Sequence, residues 1–154
     1  VRSAADEQLS FPQTVSVTRT VDVPASALWR VLRTGRDVDR ILPDLVRTCV
    51  LDGSGPGARR TCGTDAGAID ETLLAVDDDA RLFRYRIDAQ PLMPLTDYVG
   101  TVHVVALDAD RSHVLWSASY ALTDAGAGDA VATGLRGLLG GGIGGLAALA
   151  RERS

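Results

Sequence analysis

Six runs between residues 46 and 122 place apolar side chains at alternate positions, and each gives way to a short cluster of turn-forming residues. A period of two belongs to a strand with one face in the core and the other in water. The runs cover residues 46–51, 58–64, 68–76, 81–89, 98–107 and 112–122. Between them stand Asp52-Gly53-Ser54-Gly55-Pro56-Gly57, Asp65-Ala66-Gly67, Asp77-Asp78-Asp79, Gln90-Pro91-Leu92-Met93-Pro94-Leu95 and Asp108-Ala109-Asp110. Connections this short join antiparallel neighbours, because a parallel pair needs a crossover of a dozen or more residues. The chain is therefore committed to a meander with one apolar face, and that face needs a cover.

The two ends of the chain supply the remaining parts. Residues 14–23 alternate Val15, Val17, Val21 and Val23 with Ser16, Thr18, Thr20 and Asp22, which gives a seventh strand; Arg19 interrupts the valine face and is expected to reach water at an edge. Pro24-Ala25-Ser26 opens a helix carrying Leu28, Trp29, Val31 and Leu32, which Gly35 ends. A second short helix is expected over 38–42, stopped by Pro43. Over 129–151, Val131, Leu135, Leu138, Leu139, Leu146 and Leu149 share one helical face, and this long helix is the expected cover. The architecture predicted is α+β. A curved seven-stranded antiparallel sheet wraps a long C-terminal helix, with two short helices after the first strand. Residues 1–12 read as a flexible leader and 13–154 as a single domain. The final helix holds Gly134, Gly137, Gly140, Gly141, Gly142, Gly144 and Gly145. Close packing on the sheet, a kinked or mobile lid, and local disorder all fit so many glycines.

Composition removes several function classes. Lys and Arg number 16 against 20 Asp and Glu, the net charge is -4, and no basic stripe exists for nucleic acid to follow. The apolar stretch 134–150 is too short and too glycine-rich for a membrane span. Residues 1–10 lack the basic-then-apolar order of a signal peptide, so a cytoplasmic location is expected. Cys49 and Cys62 have no metal-ligand spacing and read as two buried thiols, a bridge between neighbouring strands being the alternative. There is no His–carboxylate cluster, no glycine-rich phosphate loop after a strand and no nucleophile-elbow serine. No metal or cofactor is expected.

Strand parity selects the inner wall. Ile69, Glu71 and Leu73 share a face, so Glu71 points inward, although Leu74 and Val76 blur the pattern. A carboxylate on an apolar face must be paired, hydrogen-bonded or neutral. It serves either as a structural partner or as an anchor and acid/base group inside. Phe83 and Tyr85 form a second inward pair, and Trp116 and Tyr120 a third. Tyr98 begins its strand beside the proline-containing loop, where its hydroxyl could donate a proton. His103 and His113 fall on outward faces. With Leu135, Leu138 and Leu139 on the helix, these aromatic residues predict a cavity of roughly several hundred Å3 for a small, largely apolar ligand.

Certain words in this order resemble the START/Bet v 1-like superfamily, and within it the bacterial polyketide cyclase/dehydrase and lipid-transport family. They are Val23-Pro24-Ala25 with Leu28-Trp29-Arg30-Val31-Leu32, Gly55-Pro56-Gly57-Ala58-Arg59, Asp70-Glu71-Thr72-Leu73, Arg84-Tyr85-Arg86-Ile87, Tyr98-Val99-Gly100 and Val114-Leu115-Trp116-Ser117. The resemblance implies a helix-grip fold, but members include cyclases, dehydratases, hormone receptors and lipid carriers, so it does not imply one activity. In the plant abscisic-acid receptors, the position matching Glu71 contacts ligand through water and the position matching Arg47 meets the hormone carboxylate. By that resemblance Arg47 is the expected internal cation, with Arg59 a second candidate. The expected function is cyclisation or dehydration of a polyketide-like chain in secondary metabolism. Glu71 would act as acid or base, with Arg47 or Tyr98 stabilising enolate charge. The alternatives are a non-catalytic lipid or hormone-like carrier and an assembly partner acting through its surface.

Overall fold

The computed structural model describes residues 12–154. All but Pro12 of the expected leader lies outside the described residues. Among the described residues there are seven strands: β1 (Gln13–Val21), β2 (Thr48–Asp52), β3 (Arg59–Thr64), β4 (Gly67–Asp77), β5 (Leu82–Ala89), β6 (Leu95–Ala106) and β7 (Ser112–Leu122). They form one sheet in the order β1-β7-β6-β5-β4-β3-β2, and every pairing is antiparallel. Helices α1 (Ala25–Leu32) and α2 (Val38–Ile41) follow β1, and α3 (Gly128–Glu152) closes the chain after a single 3-10 turn, Ala125–Ala127. This is the helix-grip architecture expected from the sequence.

β1 ends at Val21, sooner than alternation through Val23 suggests, but Val23 remains buried. Its carbonyl accepts a 2.8 Å hydrogen bond from the fully buried Ser112 hydroxyl. The Pro24 carbonyl then accepts from the amides of Ala27 and Leu28 and starts α1. Trp29 on α1 donates its indole N–H to Asp78 at 2.8 Å, which fastens the helix to the β4–β5 turn. β2 begins at Thr48, because the Leu42 carbonyl holds the amides of Leu45 and Val46 in a tight turn.

Two of the three register shifts in the sheet shape the wall. In β4, partners step from Leu73↔Tyr85 to Ala75↔Arg84, which leaves Leu74 as an extra residue. The bulge reverses parity, so Ile69, Glu71 and Leu73 face inward before it and Val76 pairs with the buried Phe83 after it. In β6, the register shift between Thr96 and Val99 spans Asp97, at φ 53°, and the inward-facing Tyr98.

The buried stripe of α3 runs through Val131, Leu135, Leu139, Ile143 and Leu146. The helix packs on β1, β7 and both short helices. Its C-terminal end is fastened by Arg40–Glu152 and Arg153–Asp37 ion pairs, both at 2.9 Å. The hydrogen bonds from Arg153 hold the Asp37 carboxyl below the usual carboxylate range.

Five glycines of α3 fall into two contrasting groups. A Cβ at Gly145 would overlap the Ile41 carbonyl, and one at Gly142 would strike the Trp116 indole. Close packing accounts for these two. Gly137, Gly141 and Gly144 are exposed, with nothing near a prospective Cβ. Each costs helix stability without any contact in return. Replacing these three by alanine, one at a time, should therefore stabilise the protein by about 0.5–1 kcal/mol each. Shifts in the urea midpoint measure this, and a loss at all three positions would show that helix propensity does not govern α3.

The cysteines correct the expectation of free thiols. Cys49 and Cys62 are direct partners across β2 and β3, with Cα atoms 4.1 Å apart, and they form a disulfide. The alternation that buries Cys62 puts Cys49 opposite it on the same face.

Candidate functional site

Because α3 packs chiefly on the β1–β7 side, the inner faces of β3, β4 and β5 stand off from it, and a cavity fills the gap. Its volume is about 110 Å3, well below the several hundred expected. Leu135, Leu138 and Leu139 of α3 form one wall, and Phe83, Tyr85, Tyr98 and Trp116 the facing one. Leu42, Leu45, Leu92 and Met93 are half-buried and line the cavity where it nears the surface.

One end is polar. Arg60 and Glu71 are direct partners across β3 and β4, and both are about 5% exposed. Arg60 Nε donates to Glu71 Oε1 at 2.9 Å, and Nη1 donates to the Gly35 carbonyl at 2.8 Å. Gly35 has φ +70°, and a Cβ there would press on Leu73. Glycine lets the chain turn at the end of α1 while its carbonyl meets the arginine. The guanidinium carbon also lies 5.4 Å from the Tyr85 ring centre and 5.9 Å from that of Phe83. A carboxylate, a carbonyl and two ring faces thus replace the water this cation has lost. Cys62 Sγ lies 3.6 Å from Glu71 Oε1.

A second polar group is built from aromatic residues. Trp116 Nε1–H donates to Tyr85 Oη at 3.2 Å, and Tyr85 Oη lies 3.1 Å from Tyr98 Oη. Tyr85 pairs in register with Gly100, where any Cβ would overlap its ring. The missing side chain at 100 lets the ring lie flat against β6. Burial, assisted by the charge of Glu71, pushes the Tyr85 phenol up to about 12. Burial likewise raises Tyr98 well above the ordinary phenol range, with Tyr85 adding to it. At neutral pH both are phenols, fitted to donate hydrogen bonds rather than to act as bases.

These shifts predict the alkaline behaviour. The chain has three tyrosines, and burial raises Tyr120 as well. A phenol whose folded pKa exceeds its unfolded value of about 10 gives stability that is intact below pH 10. That stability is lost as pH rises through the folded pKa. Phenolate absorbance should lag behind that of free tyrosine and then appear together with unfolding. Ionisation of all three near pH 10 with the fold intact would contradict this.

Of the residues proposed from sequence, Glu71, Tyr98, Phe83, Tyr85, Trp116, Leu135, Leu138 and Leu139 line the cavity. Three do not. Arg47 lies in the turn before β2, its side chain 54% exposed, and bonds Asp65 at 3.2 Å and the Pro43 carbonyl. The turn points Val46 inward, which sends Arg47 out. Arg59 is exposed on the outer face opposite Thr72. Tyr120 is buried near the β1 edge, opposite Gln13, away from the cavity. The internal cation is Arg60, which the sequence reading passed over. Its signal was present: Ala58, Arg60 and Cys62 alternate, and all three are buried.

A sheet gripping a helix around a polar-ended cavity defines the START/Bet v 1-like class of folds. A family model described as polyketide cyclase/dehydrase and lipid transport matches residues 12–151, and the chain belongs to that family. Norcoclaurine synthase from Thalictrum flavum superposes with a TM-score of 0.77 at 17% identity, over 100% of this chain and 95% of that one. A protein from Nitrosospira multiformis gives 0.71 at 27% identity, over 88% and 94%. One from Thermobifida fusca gives 0.74 at 25%, over 87% and 90%. No curated protein matches the sequence. Among the described residues no helix is long and apolar enough to cross a membrane, and no group of His, Cys, Asp or Glu could hold a metal ion.

Proposed function

We propose that the chain binds a small, largely apolar molecule in this cavity and assists its cyclisation or dehydration by proton transfer. The observation that carries this reading is the Arg60–Glu71 pair, a buried carboxylate and guanidinium in the wall of a mostly apolar pocket. Glu71 takes or gives the proton. Arg60 holds the carboxylate in place and faces developing negative charge, and Tyr98 or Tyr85 donates to an oxyanion. The apolar walls hold one conformer, so proximity supplies much of the rate. Family membership supports the reaction class. The norcoclaurine synthase structure, described in complex with dopamine and hydroxybenzaldehyde, supports single-ring ligands for a fold of this kind.

A carrier is the second reading, favoured by the fact that Arg60 and Glu71 already satisfy each other in part. Native mass spectrometry of the purified protein, followed by turnover of the retained molecule, separates the two. Glu71→Gln should abolish conversion while leaving affinity within about tenfold. Full turnover by that variant would remove the catalytic role, and the absence of conversion by the native chain would leave the carrier.

A further inference from the structure

We propose that the cavity selects a neutral, single-ring molecule bearing a carbonyl oxygen beside an N–H or O–H, and that it rejects carboxylates. This rests on the ligand-binding reading given above and adds the chemistry of recognition.

A guanidinium carries five N–H donors, and Nε and Nη2 lie on the same edge. A carboxylate facing that edge can accept from both. Here only Nε meets Glu71, through Oε1, and Nη1 is taken by Gly35. Arg60 Nη2 and Glu71 Oε2 have no hydrogen-bond partner among the described residues. Neither is sealed off, because no fully buried side-chain nitrogen or oxygen lacks a partner. Both residues line the cavity, so an open donor and an open acceptor are offered there together. A ligand with an acceptor beside a donor satisfies both at once.

Charge sets the second limit. The buried polar end holds one cation and one anion, Arg60 and Glu71, whose charges sum to zero; the cavity's other charged lining residue, Arg36, is exposed and its charge is screened by water. A carboxylate brought to Nη2 would sit beside the Glu71 carboxylate in a dry site, where two like charges disfavour one another. Neutral ligands meet no such cost.

Size sets the third. An apolar cavity of about 150 Å3 admits benzene, and this one measures about 110 Å3. One ring fits with small adjustments of the half-buried Leu92, Met93 and Leu138. A fused second ring is expected to bind less well, because it exceeds the enclosed part of the cavity. The faces of Phe83 and Tyr85 beside Arg60 give a flat ring its wall.

Calorimetric titration of the full chain at neutral pH with benzamide, benzoate, toluene and 2-naphthamide tests the proposal. Benzamide should bind tightest, with benzoate and toluene at least about tenfold weaker and 2-naphthamide weaker than benzamide. In Glu71→Gln the repelling charge is gone, and benzoate should gain on benzamide. If that variant does not fold, the ranking on the native chain decides alone. Benzoate or toluene equal to benzamide, or 2-naphthamide tighter than it, overturns the ligand class but leaves the cavity a binding site. Binding by none of the four overturns both readings.

Discussion

Arg60→Met should lower the free energy of unfolding by about 3–5 kcal/mol. Methionine fills much of the volume but leaves Glu71 as an uncompensated charge at about 5% exposure, with its Arg60 hydrogen bond gone. The Gly35 carbonyl loses its donor in the same step. Changing both members, Arg60→Met with Glu71→Leu, removes the stranded charge and should recover most of the loss, since an apolar pair can replace a buried ion pair at little cost. Urea unfolding of the native, single and double variants measures the cycle. A single variant within about 1 kcal/mol of the native chain would mean that Glu71 finds water when Arg60 is gone.

Gly100→Ala should be nearly as damaging, at about 3 kcal/mol, although it adds one methyl group. That methyl occupies the place of the Tyr85 ring. An aromatic ring cannot bend aside as a flexible chain can, so Tyr85 must swing out. It then leaves the Trp116 N–H and the Tyr98 hydroxyl without their partner. Thermal unfolding reads the loss, and tryptophan emission reports the new surroundings of Trp116. An unchanged emission spectrum with native stability would show that β6 yields instead of the ring.

The fold was legible in the sequence because each inner-face strand carries its own alternation and each turn its own glycine, proline or aspartate. Glu71 was legible for the same reason, since Ile69 and Leu73 flank it on one parity. The blur at Leu74 and Val76 was the bulge itself, a feature that shifts parity without any distinctive residue type. Arg60 was missed because arginine is usually a surface residue. Only the cross-strand register, which sets it opposite Glu71, shows what neutralises it. Arg47 failed for a different reason. Its place was borrowed from a resemblance, while the backbone bonds of residues 42–46 turn that segment before the strand begins. The glycines of α3 could not be sorted in advance either. Whether a missing Cβ matters depends on which atom stands opposite, as Ile41 does for Gly145 and nothing does for Gly141.

The place of β1 bears on how the chain reaches this state. Its partner is β7, with Gln13 set against Tyr120 and Val21 against Ser112. β2 to β7 can pair successively with near neighbours, but β1 must wait until the last of them exists. Joining it closes a loop of most of the chain, an entropic cost that rises with loop length. Topologies rich in such distant pairings fold on the slower millisecond-to-second scale. During synthesis, β1 emerges before the other six strands and finds its partner only once β7 has been made, so its strand edge stays open to other chains for longest.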